Sequence, residues 1–166
     1  MLPFFNQDHA ALQAQVRLWA ENHLFAGHES NEDIERHARF LVQRLGAAEF
    51  LKYTVPQQFG GVREKVGARD LCIFREELAR GDALADTMFA LQGLGSYPIT
   101  LAGSEAQKLA YLPKVASGAA IAAFAITEPE AGSDVASLQT IAARQSEQFV
   151  LNGTKRFISN AGIADF

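Results

Sequence analysis

Apolar residues recur every three or four positions through the first two thirds of the chain, which is the period of an amphipathic helix. The pattern predicts a series of helices, and three of them follow residues whose side chains can cap a helix N-terminus, namely Asn6, Asp82 and Ser104. Gln107, three residues after Ser104, completes a capping box. The helix that follows Asp82 is apolar over much of its surface, so we expect it to lie in the middle of a helical bundle.

The helical stripes also predict which side chains face the core. Ile34 on the second helix and Ala79 on the third are expected to face inward with the other apolar residues of their stripes. Glu32 and Asp33 suit the start of the second helix because carboxylates are favourable at a helix N-terminus. Cys72, the single cysteine, lies in an apolar helical context, which favours a buried structural thiol over a reactive one.

From Ala120 onward the pattern changes and favours strands. A short apolar stretch from Thr140 to Arg144 is a weak strand pattern. Gln148 to Leu151 and Thr154 to Ser159 flank Asn152-Gly153, a dipeptide typical of a type I′ turn. The sequence therefore predicts a hairpin that turns at Asn152-Gly153.

This order of patterns predicts an α+β fold, in which an all-α helical bundle is followed by the first strands of a β domain. The boundary is expected near Ala119, with a helical domain over residues 1–118 and the start of a β domain over residues 119–166. Ile163 to Phe166 has the pattern of a further strand that has just begun. We therefore expect the β domain to be incomplete in these residues.

Composition argues against several classes of function. The net charge of −4 and the pI near 5.5 argue against nucleic-acid binding, which needs clustered lysines and arginines. No stretch approaches the length of a membrane span and no signal peptide is visible, so a cytoplasmic location is expected. No metal site is expected, because no cysteine or carboxylate pattern accompanies the histidines at metal-ligand spacing; these are His9, His23, His28 and His37.

The strongest chemical pattern is the segment from Ala125 to Asp134, in which an apolar run ends in a hydroxyl, a carboxylate and a proline. Gly132 has no Cβ to block approach, so backbone N–H groups near it can cradle an anionic group. Thr127 and Ser133 would each also suit an ordinary turn. An ordinary turn does not explain Thr-Glu-Pro together with Ala-Gly-Ser-Asp at this spacing.

A second segment, Asn152 to Asn160, ends in a strand-like run that holds an aromatic residue and a hydroxyl. In these two segments the chain resembles the acyl-CoA dehydrogenase family, flavoenzymes that desaturate acyl-CoA thioesters. The first segment resembles that family's Thr-Glu-Pro-x-Ala-Gly-Ser-Asp motif at every fixed position. The resemblance extends over essentially the whole chain, and it implies a helical domain followed by a truncated β-barrel-like domain.

The resemblance implies FAD as the cofactor and a role for five residues. Thr127 would donate to the pyrimidine side of the isoalloxazine, and Ser133 would reach the pyrophosphate and lie near the thioester ligand. Phe157 and Ser159 stand where the family commonly has Trp and Thr, so they keep an aromatic ring against the flavin and a hydroxyl close to N5. Phe124 matches the aromatic position before the Thr-Glu step, although a plain core residue would suit that position equally.

The resemblance also implies substrate contacts. Gly93-Leu94-Gly95-Ser96 lacks the third glycine of a dinucleotide fingerprint, so a loop is expected there. In the family this region runs beside the acyl-chain cavity, which implies that Leu91 and Leu94, together with Ser133, bind substrate. No catalytic residue is assigned, because the family's base lies in a C-terminal helical domain that is expected to be absent from these residues.

By resemblance, the parent protein would be an FAD-dependent acyl-CoA dehydrogenase of fatty acid metabolism that transfers a hydride to flavin N5. Its partners would be an acyl-CoA substrate and an electron-transfer flavoprotein, and it would form a homo-oligomer, either a tetramer or a dimer. The isolated 166-residue chain would be inactive. Two alternatives stay open: a same-fold flavin monooxygenase or nitroalkane-oxidase-like enzyme, and a truncated non-catalytic subunit that binds flavin or a partner chain.

Overall fold

The computed structural model describes residues 4–24 and 33–166. Within these residues, five α-helices precede a two-stranded sheet. The helices are α1 (Gln7–His23), α2 (Ile34–Ala47), α3 (Ala68–Gly81), α4 (Ala83–Ala102) and α5 (Glu105–Ser117), and the strands are β1 (Ile141–Gln145) and β2 (Gln148–Asn152). Short 3₁₀ turns cover Phe50–Thr54, Gln57–Phe59 and Val135–Ser137. The predicted α+β order is confirmed.

Each predicted capping residue begins its helix. The Asn6 side chain accepts from the backbone N–H of His9, and the Asp82 side chain accepts from that of Leu84. Ser104 and Gln107 form the reciprocal pair of a capping box. Asp33 caps α2, whereas Glu32 and His28 lie outside the described residues.

The core of the helical part is built around Phe74 of α3. Its ring stacks on that of Phe89 from α4, with 4.8 Å between centroids, and meets Phe50 edge-on at 5.0 Å. Phe74 and Phe89 are almost completely buried, and full burial of such a side chain stabilises a fold by about 1.5–3 kcal/mol. This cluster places α4 at the centre of the helices, as its apolar surface predicts.

A buried carboxylate joins α1 to α3. Glu77 accepts hydrogen bonds from Arg17 at 2.7 and 2.9 Å and from Gln13 at 2.8 Å. The hydrogen bond from Arg17 is the main cause of the lowered pKa of Glu77. Glu77 is almost fully buried whereas Arg17 is partly exposed, so the pair joins the two helices at the edge of the core.

Three predicted core positions are wrong. Cys72 and Ala79 are exposed on α3, and Ile34 is exposed at the start of α2. The inward face of α3 is centred on Phe74 and Leu78, and Cys72 lies two positions from Phe74, about 200° around the helix. Phe74 therefore places Cys72 on the opposite side of α3.

The predicted loop at Gly93-Leu94-Gly95-Ser96 is also wrong, because these residues lie inside α4. Gly95 is required there by packing rather than by a turn. A Cβ at this position would lie 2.8 Å from the Ala122 Cβ and 2.8 Å from the Ala123 carbonyl oxygen. The glycine thus lets α4 approach the chain at residues 122 and 123 closely.

The hairpin exists with a different partner from the predicted one. β1 and β2 pair antiparallel from Ile141 opposite Asn152 to Gln145 opposite Gln148, so the turn lies at Ser146-Glu147. Gly153 is needed for close packing, since a Cβ there would overlap Thr140. Thr154 to Ser159 consequently leaves the hairpin and forms no strand within the described residues.

Residues 121–123 and the last residues of the chain contact each other outside the two-stranded sheet. Asp165 donates its backbone N–H to the Ile121 carbonyl at 2.8 Å, and Ala123 donates to the Phe166 carbonyl at 3.0 Å. These two bonds hold Ile163 to Phe166 beside residues 121–123 without forming the predicted strand. Of the helices in the described part of the chain, none combines the length and the apolar character that crossing a membrane requires.

Candidate functional site

The two segments singled out by the sequence lie side by side. Arg156 donates its backbone N–H to the Thr127 carbonyl at 2.8 Å, and the Lys155 Nζ donates to the Ile126 carbonyl at 2.9 Å. Farther along, the Asn160 side chain donates to the Ala122 carbonyl at 3.1 Å. These contacts place the chain from 122 to 127 beside the chain from 155 to 160.

Glu128 joins this pair of segments to the start of β1. Its carboxylate accepts from the backbone N–H groups of Gln139 at 2.6 Å and Thr140 at 3.0 Å, from the Thr140 hydroxyl, and from Lys155 Nζ at 2.8 Å. The residue is 5% exposed. Hydrogen bonds from Lys155 first and Thr140 second lower the pKa of Glu128 to about 2. The carboxylate therefore stays ionised at neutral pH and holds three parts of the chain together.

The loop after Glu128 has a defined shape. Glu128 and Ala131 exchange backbone hydrogen bonds at 2.9 and 3.3 Å, which closes a tight turn that contains Pro129. Asp134 then caps the short turn Val135–Ser137 by accepting from the Ala136 N–H and the Ser137 hydroxyl. Glu128, Pro129 and Asp134 of the motif therefore each have a structural role.

Between these two fixed points the backbone presents donors outward. Within the described residues, the N–H groups of Gly132, Ser133 and Asp134 make no hydrogen bond to the protein, and all three residues are exposed. A Cβ built on Gly132 would meet no atom within 4 Å. Successive N–H groups without a protein partner are the kind of donor that binds phosphate oxygens in many proteins.

The hydroxyls and aromatic rings assigned by resemblance differ in exposure. Thr127 and Phe124 are half-buried, whereas Ser133 and Ser159 are exposed. Among the described residues, the hydroxyls of Thr127, Ser133 and Ser159 have no hydrogen-bond partner in the protein. These hydroxyls are consequently available to a ligand.

Phe157 combines an exposed ring with an uncommon backbone conformation. Its side chain is 78% exposed, and its φ of 57° lies in the left-handed region that bulky residues rarely adopt. The Arg156 guanidinium lies 4.4 Å from the ring centroid. Asn160, in the same segment, also has a positive φ of 65°. Such strain costs about 1–3 kcal/mol and is concentrated at functional sites.

The two leucines assigned to substrate binding are neighbours on α4 but differ in burial. Leu94 lines a cavity of about 400 Å³ between α3 and α4. Leu91 is buried in the helical core and does not line that cavity. The described residues contain no cluster of three His, Cys, Asp or Glu that could hold a metal ion.

Gln92 is an important residue that sequence reasoning missed. It is fully buried on α4, donates to the Ala120 carbonyl at 2.8 Å and accepts from the Ala122 N–H at 2.8 Å. The side chain thereby fixes the start of the segment that leads to Thr127. A lone amide within an otherwise apolar helix was the signal that could have identified it.

Comparisons with known proteins agree with this geometry. Two family models match almost the whole chain: acyl-CoA dehydrogenase, N-terminal domain, over residues 6–119, and acyl-CoA dehydrogenase, middle domain, over residues 123–166. The chain belongs to the acyl-CoA dehydrogenase family. Because both models belong to the same family, the membership holds for the helical and the β part alike.

Relatives within the acyl-CoA dehydrogenase family include a probable acyl-CoA dehydrogenase of Mycobacterium leprae, 38% identical over 94% of this chain and 40% of that protein. A glutaryl-CoA dehydrogenase of Desulfococcus multivorans is 35% identical over 93% of this chain and 40% of that protein. The solved acyl-CoA dehydrogenase of Bacillus anthracis, complexed with FAD, has a TM-score of 0.83 at 30% identity, over 99% of this chain and 29% of that one. The chain spans about two fifths of the length of the curated relatives it matches.

Proposed function

We propose that this chain carries one side of the FAD site of an acyl-CoA dehydrogenase. When bound, FAD would supply the chemistry by accepting at N5 a hydride from the β-carbon of an acyl-CoA thioester. The single observation that carries the proposal is the loop held by Glu128, in which Gly132, Ser133 and Asp134 present accessible N–H groups next to unpartnered hydroxyls.

The donor set of this loop fits the cofactor. Accessible main-chain N–H groups and the Ser133 hydroxyl suit the oxygens of a pyrophosphate. Thr127 and Ser159 offer hydroxyls toward the ring system, where donors stabilise negative charge. Phe157 offers an exposed aromatic face for stacking, and the half-buried Phe124 supports the adjoining segment.

Glu128 is a poor choice for the base that removes a proton from the substrate. A general base works best when its pKa lies near the working pH, whereas the pKa of Glu128 is about 2. All of its contacts fix the loop instead. The proposal therefore assigns no base within residues 1–166, and it expects the 166-residue chain alone to be inactive.

The rest of the assignment follows the family. The whole protein would desaturate an acyl-CoA, pass electrons to an electron-transfer flavoprotein, act as a homo-oligomer and work in the cytoplasm. Residues 1–118 would form the helical domain, and residues 119–166 would form the start of the β domain. Leu94 and Leu91 would contribute to the acyl side, Leu94 at the cavity wall and Leu91 from the core behind it.

The test uses the protein encoded by the complete reading frame that contains this sequence. Acyl-CoA added without oxygen should bleach the flavin absorbance. Thr127→Ala and Ser133→Ala should each lower FAD content or the rate of bleaching by about 10–100-fold, since a hydrogen bond to a charged group contributes about 1.5–3 kcal/mol.

Thr154→Ala is the matched control, because Thr154 is an exposed hydroxyl of the second segment with no partner among the described residues. It should leave both quantities unchanged. Unchanged FAD content and rate in the Thr127 and Ser133 variants would remove these assignments. Bleaching by a nitroalkane but not by any acyl-CoA would keep the flavin site and overturn the proposed reaction.

A further inference from the structure

The cavity between α3 and α4 has an apolar interior and a charged edge. Its volume of about 400 Å³ lies within the range of small-molecule pockets. Leu71 from α3 and Phe89, Gly93 and Leu94 from α4 form its walls. Among the described residues that line it, Arg75 alone carries a charge.

That charge is already paired within the protein. The Nε of Arg75 donates to Asp86 Oδ1 at 2.8 Å, and a terminal guanidinium nitrogen donates to Oδ2 at 2.9 Å. The Asp86 side chain is 15% exposed and that of Arg75 is 56% exposed. The paired geometry uses two of the five Arg75 donors and leaves the pair with no net charge.

We propose that the Arg75–Asp86 pair makes this cavity select acyl chains that end in an uncharged group over chains that end in a carboxylate. The inference rests on the proposed function, in which the cavity takes the far end of an acyl-CoA. It specifies a substrate class for that site and assigns Arg75 and Asp86 as the residues that determine it.

The physical reason is the cost of moving a carboxylate out of water. An apolar chain end gains by burial between Leu71, Phe89 and Leu94, whereas a carboxylate there needs a cation to compensate its lost hydration. Arg75 is the one lining cation among the described residues, and Asp86 both neutralises it and repels a second carboxylate. Freeing Arg75 from Asp86 should therefore reverse the preference.

The experiment compares two probes with equal numbers of carbons, octanoyl-CoA and suberyl-CoA, which differ by a terminal carboxylate. Amide NMR spectra of the 166-residue chain are titrated with each. Octanoyl-CoA should shift the amides of Ala90, Gly93 and Leu94, and suberyl-CoA should bind at least roughly tenfold more weakly, the equivalent of one lost charge-assisted hydrogen bond.

Asp86→Asn should increase suberyl-CoA affinity by roughly tenfold, because the amide keeps a contact with Arg75 but removes the negative charge. Asp86→Ala serves the same purpose if the Asn variant fails to fold. The double variant Arg75→Gln with Asp86→Asn is the matched control, and it should bind suberyl-CoA as weakly as the unmodified chain.

Equal binding of the two probes by the unmodified chain would overturn the selectivity, and so would an Asp86 variant that leaves the ratio unchanged. Absence of any shift at Ala90, Gly93 and Leu94 with octanoyl-CoA would overturn the cavity assignment and this inference with it. FAD binding is measured separately, from the amides of Gly132 to Asp134 in a titration with FAD. Failure of the cavity assignment can therefore be distinguished from failure of the proposed FAD site.

Discussion

Four donors converge on Glu128, and this residue fixes the start of the loop that leads to Gly132, Ser133 and Asp134. Lys155 reaches it from one segment, and Gln139 and Thr140 reach it from the start of β1. The following turn through Pro129 then directs the chain toward Gly132. The carboxylate has a structural role, and Thr127 and Ser133, which are proposed to contact the cofactor, lie close to it in the chain.

The ionised state of Glu128 predicts a local acid transition. Its pKa is about 2 in the folded chain and about 4.3 in an unfolded chain, so its contribution to stability is complete above about pH 4.3 and is lost as the pH falls through about 2. The amide shifts of Gln139 and Thr140 should follow this transition in an NMR pH titration. Glu128→Gln should abolish it, and a midpoint near 4.3 in the unmodified chain would contradict the network.

Replacing Gln92 should lower the free energy of unfolding more than replacing an exposed glutamine does. Gln92→Leu leaves the Ala120 carbonyl and the Ala122 N–H without their partner, so the free energy of unfolding should fall by about 1–3 kcal/mol. Urea denaturation followed by circular dichroism measures this loss. Gln15→Leu, on the exposed side of α1, should stay within about 0.5 kcal/mol of the unmodified chain. An equal change in the free energy of unfolding for Gln92→Leu and Gln15→Leu would show that the Gln92 contacts do not contribute to stability.

At the scale of elements, α4 is the part on which the site depends. Its buried residues pack against α3, Gln92 binds the segment after α5, and Gly95 allows that segment to approach. One helix therefore links the cavity beside Leu94 to the chain that leads into Thr127. A displacement of α4 would move both together.

Two glycines of α4 give a direct test of this close approach. Gly95→Ala should destabilise the chain because its Cβ would collide with Ala122 and Ala123, whereas Gly93→Ala meets only Thr54 at an ordinary 3.6 Å. Gly93→Ala should stabilise by about 0.5–1 kcal/mol, the usual gain of Ala over Gly in a helix. Thermal unfolding of both variants measures the contrast. A stabilising Gly95→Ala would contradict the packing described for α4.

The sequence predicted these elements with uneven success, for physical reasons. Caps at Asn6, Asp82 and Ser104 were correctly identified because a cap depends on residues within one turn of each other. Asn152-Gly153 was wrongly predicted to turn, because its glycine serves a contact with Thr140 across the hairpin. Gly95 was wrongly assigned to a loop, because it serves a contact with Ala122 and Ala123.

The candidate site shows the same division between local and distant information. The Thr127 to Asp134 motif could be recognised from its composition, because its turn and caps use residues close in the chain. The contact with residues 155–160 could not be derived from spacing, since it depends on the path of the chain after the hairpin. Gln92 was missed because a buried amide is identified only by its distant partners.

At the scale of the whole molecule, the β part is much less buried than the helices. Within the described residues the hairpin is a sheet of two strands, and every residue of β2 is exposed, including Phe149 and Leu151. A two-stranded hairpin alone is marginally stable in water. Glu128, which holds the loop from Gly132 to Asp134, is itself bound by Gln139 and Thr140 at the start of β1. We therefore expect the loop and the hairpin to be ordered or lost together in the 166-residue chain.

The most direct test of the central claim is an amide NMR titration of the 166-residue chain with FAD, with riboflavin as the control that lacks the pyrophosphate. We expect weak binding, because the loop supplies only one side of the site. FAD should shift the amides of Gly132, Ser133 and Asp134, riboflavin should not, and Ser133→Ala should weaken the response. Absence of these shifts, or equal shifts with riboflavin, would contradict the assignment of this loop to the cofactor's pyrophosphate.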